Sequence, residues 1–339
     1  MLYDSKKERH QPLVLSVQHF CLQDGPGVRS VIFFKGCPLR CVWCHNPESW
    51  SMYPELAFKK HLCINCGYCM DICPEKAIKS PGHWDRERCR LCFTCVQNCP
   101  SGALEGLGLE QSVESILESL RPEYTYYKNS GGGVTFSGGE PTLFSGFAAE
   151  LADRLRSEGV HLAAETCGLF NLDGIVPRDN SKILAKSRDS AREVWNFLSK
   201  LDLILFDIKI FDDVKHRQFC GTGNSRIKYN LETLAVLGHN HTGPPVWPRL
   251  PLIPDITNTT ENLVEWGRFL RKINLPYLTL VPYHRLGESK REWIQIKKGL
   301  NIRDLNNGDL ETAKAILKSE GITCYSPGEE EWTRLSEMG

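Results

Sequence analysis

The sequence predicts an α/β protein: a partial, TIM-like barrel of about six β/α units that carries a small cysteine-rich insert. Three observations lead there. From about residue 109 onward, short apolar runs alternate with amphipathic stretches of helical length, the pattern of parallel βαβ units. Polar residues recur just past those apolar runs, where barrels gather their active-site groups. Residues 51–108 break the pattern with eight closely spaced cysteines. The expected division is a barrel made of residues 1–50 and 109–339, interrupted by an insert over 51–108.

Taken in order, residues 13–19 and 28–34 read as the first strands, joined through the tight turn Asp24-Gly25-Pro26-Gly27. Glu110–Leu120 is an amphipathic helix with Pro122 just past its end. Val134–Phe136 is a strand running into Ser137-Gly138-Gly139-Glu140-Pro141, followed by a helix near Phe144–Ser157. Val160–Glu165 is a strand ending at Thr166-Cys167-Gly168, and Leu201–Phe206 one ending at Asp207-Ile208-Lys209. Helices near Lys228–Leu237 and Asn262–Lys272 precede the strands Val246–Leu250 and Tyr277–Val281. A last helix, Leu310–Glu320, precedes residues 322–324. The segment Leu169–Lys200 is long for a connection and is expected to be a surface excursion rather than a partner contact.

Composition removes several function classes. The chain has 339 residues, 41% of them apolar, and a formal net charge of zero, so neither nucleic acid nor an anionic membrane is expected as a partner. There is no apolar run long enough to span a bilayer, and residues 1–10 are charged and lack the apolar core of a secretory signal. A cytoplasmic location is expected. Of fifteen cysteines, eleven fall between Cys37 and Cys99, and only Cys21, Cys167, Cys220 and Cys324 lie outside. Such clustering favours metal over disulfides.

Three of those cysteines, Cys37, Cys41 and Cys44, follow the apolar run Val31-Ile32-Phe33-Phe34 in one short loop. Three thiolates at a strand's end can hold three irons of a [4Fe–4S] cluster and leave the fourth with an open position, where chemistry can occur. Zinc completed by His45 is the alternative, and the cluster is the preferred reading.

The insert contains an internal repeat. Cys63-x-x-Cys66-x-x-Cys69-x-x-x-Cys73-Pro74 recurs as Cys89-x-x-Cys92-x-x-Cys95-x-x-x-Cys99-Pro100, each cysteine 26 residues after its counterpart. This is the run of a bacterial two-cluster ferredoxin, in which the fourth cysteine of each set crosses to the other cluster. One [4Fe–4S] cluster is therefore assigned to Cys63, Cys66, Cys69 and Cys99, the other to Cys89, Cys92, Cys95 and Cys73. A pair of zinc sites is the weaker alternative. So small a segment has little apolar core, and the clusters would hold it together.

Individually, the polar strand-end residues have ordinary readings. Of Glu140, Glu165, Asp207, Lys209, Arg249 and His284, Glu140 ends a turn, Asp207 and Lys209 make a surface ion pair, Arg249 faces solvent and His284 is structural, while Asp24, in the turn before the second strand, is by default a turn former. Their shared position at strand ends is what marks them. Gly138 and Gly139 lack side chains that would keep a ligand from the backbone.

Together these residues resemble the radical S-adenosylmethionine (SAM) enzymes. Cys37-x-x-x-Cys41-x-Trp43-Cys44 is their signature. Asp24-Gly25-Pro26-Gly27-Val28-Arg29, Cys44-His45-Asn46-Pro47-Glu48, Ser137-Gly138-Gly139-Glu140-Pro141, Asp207-Ile208-Lys209 and Tyr283-His284-x-x-Gly287 narrow the resemblance. They are similar to the glycyl-radical enzyme activating enzymes, the group containing pyruvate formate-lyase activating enzyme, in its larger form with a two-cluster insert. The resemblance spans nearly the whole chain. It implies reductive cleavage of SAM to methionine and a 5′-deoxyadenosyl radical, which takes hydrogen from a glycine of a partner glycyl-radical enzyme.

It further implies catalytic roles for Cys37, Cys41, Cys44, Lys209 and His284. SAM binding falls to Asp24, Trp43, Gly138, Gly139, Glu140, Thr166, Asp207 and Arg249. Glu165, Thr166 and Asp207 resemble a monovalent-cation site, with Glu165 standing where simpler relatives have Asp. Three [4Fe–4S] clusters, SAM, an electron donor such as flavodoxin or ferredoxin, and a monomeric state complete the expectation. A radical SAM enzyme acting on another peptide or a small molecule is the first alternative. A multi-cluster electron carrier is the second, disfavoured because an open iron is a liability in a carrier.

Overall fold

The computed structural model describes residues 12–175, 189–296 and 299–332. Its strands are β1 (Leu13–Cys21), β2 (Arg29–Phe34), β3 (Glu55–Phe58), β4 (Ile78–Ser80), β5 (His83–Trp84), β6 (Leu104–Leu107) and β7 (Leu109–Glu110), then β8 (Gly133–Gly138), β9 (His161–Thr166), β10 (Leu203–Asp207), β11 (Val246–Leu252), β12 (Tyr277–Pro282) and β13 (Thr323–Tyr325). Nine form one sheet in the order β13-β12-β11-β10-β9-β8-β2-β1-β7. From β2 to β13 every neighbour is parallel, whereas β1 is antiparallel to both β2 and β7. The end strands β13 and β7 do not pair with each other, so the barrel is open. The sheet is α/β and mostly parallel, as the alternation of apolar runs and helices requires.

Register decides where the site falls. Phe34 stands opposite Gly138, Phe206 opposite Thr166, and Asp207 opposite Arg249. The C-terminal ends of these strands are therefore level, and the segments leaving them meet at one mouth. Behind them, one apolar cluster joins the strands to the covering helices, including Val113–Leu120, Ser145–Ser157, Ser225–His239 and Thr260–Lys272. Each helix turns an apolar stripe inward; Trp266 and Leu270 are almost wholly buried on the last of them.

Some expectations shift. The helix read from Glu110 begins at Val113, because Ser112 caps it by accepting from the Ser115 amide, and Glu110 is drawn into β7 opposite Leu13. The segment Leu169–Lys200 is not simply an excursion. Phe170, Leu172 and Ile175 are buried, and helix Asp189–Leu198 packs Val194, Trp195, Phe197 and Leu198 into the core; residues 176–188 lie outside the described residues. Helices Tyr124–Ser130, Asp213–Cys220 and Leu286–Trp293 were not legible in the pattern.

The cysteine-rich segment pairs β3 with β6 and β4 with β5, both antiparallel. It has a small cluster of its own around Leu56, Cys73, Ala77, Ile78, Cys95 and Leu104. Among the described residues no helix is long and apolar enough to cross a membrane.

Candidate active site

The loop after β2 is fastened on several sides. The Gly36 amide donates to the Ser49 carbonyl (2.6 Å), Arg40 N to Cys220 O (2.8 Å), Val42 N to Phe219 O (3.0 Å) and Cys44 N to Cys41 O (3.0 Å). Lys35, fully buried, donates its ammonium to Glu48 O (2.5 Å) and Glu55 Oε2 (2.6 Å). Leu39, Cys41, Trp43, Ile210, Ile253 and Tyr283 pack behind the loop and keep water from that side. The three thiols are not alike: the hydrogen bond with Cys167 holds Cys37 below the usual thiol range, that with Cys220 pushes Cys41 up, and burial, then the neighbouring Cys41 and Cys37, pushes Cys44 up to about 12. Metal binding would displace the protons that Cys41 and Cys44 hold here.

The loop walls one side of an open cleft of about 280 Å³, near the lower end of the roughly 300–1,000 Å³ of small-ligand pockets. Asp24, Cys37, Cys41, Cys44, Trp43, Gly138, Gly139, Thr166, Asp207, Lys209 and Arg249 all line it, with His45, Glu165 and Cys167. Arg249 is paired with Glu165, which also accepts from the Ser137 hydroxyl, and Lys209 pairs with Asp207 at 3.2 Å. Burial works against the Lys209 ammonium, but Asp207 and the surrounding sulfurs outweigh it and hold it above the usual lysine range. Two buried polar atoms on cleft-lining residues, His45 Nε2 and Arg249 Nε, have no partner. Buried donors and acceptors are rarely left so, and these fit groups bound in the cleft.

Glu165 carries a pH signature. Burial pushes its carboxyl from 4.5 up to about 7, Arg249 opposing and Asp24 and Asp207 adding to the rise. Between those values the folded chain holds a proton that the unfolded chain has lost, so stability falls as pH rises through that window. Thermal unfolding of the cluster-free protein at pH 5 and pH 7.5 will show that decline, and Glu165→Gln will flatten it.

The Radical SAM superfamily model matches residues 31–267, more than half of the chain. The chain belongs to the Radical SAM superfamily. Relatives place it among activating enzymes of that superfamily. It is 35% identical over 324 residues to the trans-4-hydroxy-L-proline dehydratase activating enzyme of Clostridioides difficile, covering 94% of this chain and 99% of the relative. It is 34% identical to the isethionate sulfite-lyase activating enzyme of Nitratidesulfovibrio vulgaris, covering 90% and 94%. The benzylsuccinate synthase activating enzyme of Thauera aromatica is 35% identical, covering 82% and 80%. Membership implies a [4Fe–4S] cluster and SAM, which the three-thiol loop and the cleft's orphaned polar atoms fit.

Two residues of this radical SAM protein stand elsewhere than expected. Glu140 does not line the cleft. It is fully buried, and its carboxylate accepts from Thr142 N (3.2 Å), Thr142 Oγ1 (2.7 Å), Thr166 Oγ1 (2.9 Å) and Cys167 N (2.8 Å). It ties the end of β8 to the end of β9, with no oxygen spare for a ligand. The turn inward is forced, because a Cβ on Gly139 would sit 1.9 Å from Gly36 O, so the backbone passes against the cysteine loop there. His284 also lies off the cleft and stacks on His45, ring centroids 4.0 Å apart.

The suggested cation ligands are engaged as well. Glu165 is taken by Arg249 and Ser137, Thr166 donates to Glu140, and Asp207 holds Lys209. Among the described residues no three His, Cys, Asp or Glu side chains converge on a point that could hold one metal ion. Sequence reasoning missed Cys167 and Cys220, free thiols that hydrogen-bond those of Cys37 and Cys41 respectively. Their lying outside the cysteine-dense stretch was the available signal.

In the insert, Cys63, Cys66, Cys69 and Cys99 line one pocket, and Cys73, Cys89, Cys92 and Cys95 another. The repeat is structural. Asn65, Gly67 and Lys76 adopt left-handed backbone, as do Leu91, Phe93 and Gly102, each 26 residues on. Leu and Phe rarely accept that conformation, and such strain persists where a site over-determines it.

Proposed function

We propose that this chain activates a glycyl-radical enzyme and carries three [4Fe–4S] clusters, with only the one at Cys37, Cys41 and Cys44 meeting SAM. The observation that carries the reading is the convergence of those three thiols with Asp207, Lys209, Arg249 and Gly138-Gly139 on one cleft at level strand ends. Lys209 and Arg249 supply positive charge for the SAM carboxylate. Asp24, Asp207 and the Gly138 and Gly139 carbonyls suit its ammonium and sulfonium. Trp43 and the apolar packing behind the loop exclude water, which strengthens each of these interactions. Held by Cys37, Cys41 and Cys44 and by the cleft, cluster and SAM would supply the one-electron cleavage chemistry needed to take a hydrogen atom from a partner's glycine. His45 on the cleft, and His284 stacked on it from outside, are placed to meet the glycine-bearing segment. An external donor of the flavodoxin or ferredoxin type feeds the electron.

The crossed cysteine pockets support two further clusters over 51–108, the barrel being residues 1–50 and 109–339. Anaerobic reconstitution will give about twelve irons per chain. Replacing Cys66 and Cys92 together will remove up to about eight of these. If the double variant still activates fully with an external reductant, the insert is no essential relay. The functional reading itself is tested by reducing the loaded protein with SAM: methionine and 5′-deoxyadenosine are expected in equal amounts, and intact SAM after prolonged reduction would refute it.

A further inference from the structure

Helix Leu286–Trp293 lies against the cysteine loop, and nothing above explains its charged residues. Its close approach depends on Gly287, where a Cβ would stand 2.2 Å from Cys44 O. Lys290 reaches Asn46 Oδ1 (2.7 Å) and Glu48 Oε1 (2.6 Å). Arg291, only 6% exposed, turns into the loop itself. Its Nη2 donates to the carbonyls of Cys41 (3.2 Å) and Val42 (3.0 Å), and its guanidinium lies 4.7 Å over the Trp50 ring.

The two cations differ in one respect. Glu48 answers the charge of Lys290. Among the described residues no carboxylate stands within ion-pair distance of Arg291; the charged or ionisable groups around it are Cys41, Cys44, Tyr283 and the more distant Glu288. A buried cation without a counter-charge is costly, so a fold that keeps one has a negative group for it to face. Three thiolates carrying an iron–sulfur cluster are such a group, and they gain one more negative charge when the cluster is reduced. A fixed cation in a poorly hydrated site stabilises the reduced state over the oxidised one.

We propose that Arg291 is a positioning residue for the three-cysteine cluster, clamping the Cys41 and Val42 carbonyls and raising the cluster's reduction potential so that a donor can load it. This rests on reading Cys37, Cys41 and Cys44 as cluster ligands. The same helix also ties the cluster loop to the insert. Lys59 lies 5.2 Å over the Trp293 ring, Arg86 Nη2 donates to Ile294 O (2.6 Å), and Gln295 donates to Gly82 O.

The test is a potentiometric titration of the reconstituted full chain, followed by electron paramagnetic resonance. The signal that changes on adding SAM reports the three-cysteine cluster. Arg291→Gln, which keeps a donor but loses the charge, will lower the midpoint potential. The reduced-to-oxidised ratio at a fixed potential will fall about tenfold, equivalent to 59 mV for one electron. Arg291→Lys will recover the parent midpoint, and Lys290→Met will leave it unmoved. If the Gln variant does not retain iron, the Lys variant decides, because charge kept in place predicts the parent value. An unshifted midpoint in Arg291→Gln, or a shifted one in Arg291→Lys, overturns the inference alone. Absence of any SAM-responsive signal in the parent overturns the cluster reading and the inference together.

Discussion

Cys37→Ala abolishes SAM cleavage and leaves the fold standing. Cys37 sits in the loop after β2, on the cleft, where its sulfur is one of three that line the wall. Losing an outer-shell partner of a metal site already costs about 10–100-fold in affinity or activity, and losing one of three direct ligands exceeds that. The loop backbone is held by hydrogen bonds from Gly36, Arg40, Val42 and Cys44, none of which uses the Cys37 side chain. The variant will therefore unfold near the parent's temperature when both are cluster-free. After reconstitution it will carry about four fewer irons, the insert's clusters remaining. Formation of 5′-deoxyadenosine will drop by more than about 100-fold. Retained cleavage would remove Cys37 from the catalytic set.

Glu140→Gln destabilises the whole barrel and does so without weakening SAM binding directly. The carboxylate accepts from two backbone amides, Thr142 N at one oxygen and Cys167 N at the other, and from two hydroxyls. A Gln side chain offers one acceptor oxygen, so its NH2 must face one of those amides. A buried donor left unpaired costs about 1–3 kcal/mol, and the hydrogen bonds lost are charge-assisted, so about 3 kcal/mol is expected in denaturant unfolding. Cys167, hydrogen-bonded to Cys37, will lose its anchor, so cluster retention should fall in parallel. Had Glu140 met SAM directly, the variant would raise the SAM concentration needed while leaving stability alone. Denaturant midpoint and SAM affinity, measured on one preparation, separate the two.

Why Glu140 was misplaced shows what a sequence does and does not carry. Ser137-Gly138-Gly139-Glu140-Pro141 marks a strand end and a close backbone approach, and both are present. Which way the carboxylate turns depends on Thr166 and Cys167, 26 and 27 positions away, and no local pattern encodes that. The parallel strands were legible because each is an apolar run closed by polar or glycine residues, and level register then gathered Asp207, Arg249 and Thr166 at one mouth. The crossed cysteine sets were legible because their spacing repeats, and the backbone repeats with it. Helix Leu286–Trp293 was invisible for the opposite reason. Gly287 and Arg291 are its buried residues, so it has no apolar period to read. Buried Lys35 was hidden likewise, since its partner Glu55 lies across the start of the insert.

Four activating-enzyme relatives, named for a dehydratase, a sulfite-lyase, a benzylsuccinate synthase and a decarboxylase, match this chain at 31–35% identity. What these relatives share is activation of a glycyl-radical enzyme. The most direct measurement is anaerobic. The reconstituted protein is mixed with SAM, a low-potential reductant and a candidate glycyl-radical enzyme, and the mixture is followed by electron paramagnetic resonance. The expected result is a glycyl-radical signal that grows with 5′-deoxyadenosine, one for one, and is absent with Cys37→Ala. No glycyl radical on a partner verified with another activating enzyme, while SAM is still consumed, would contradict the assignment.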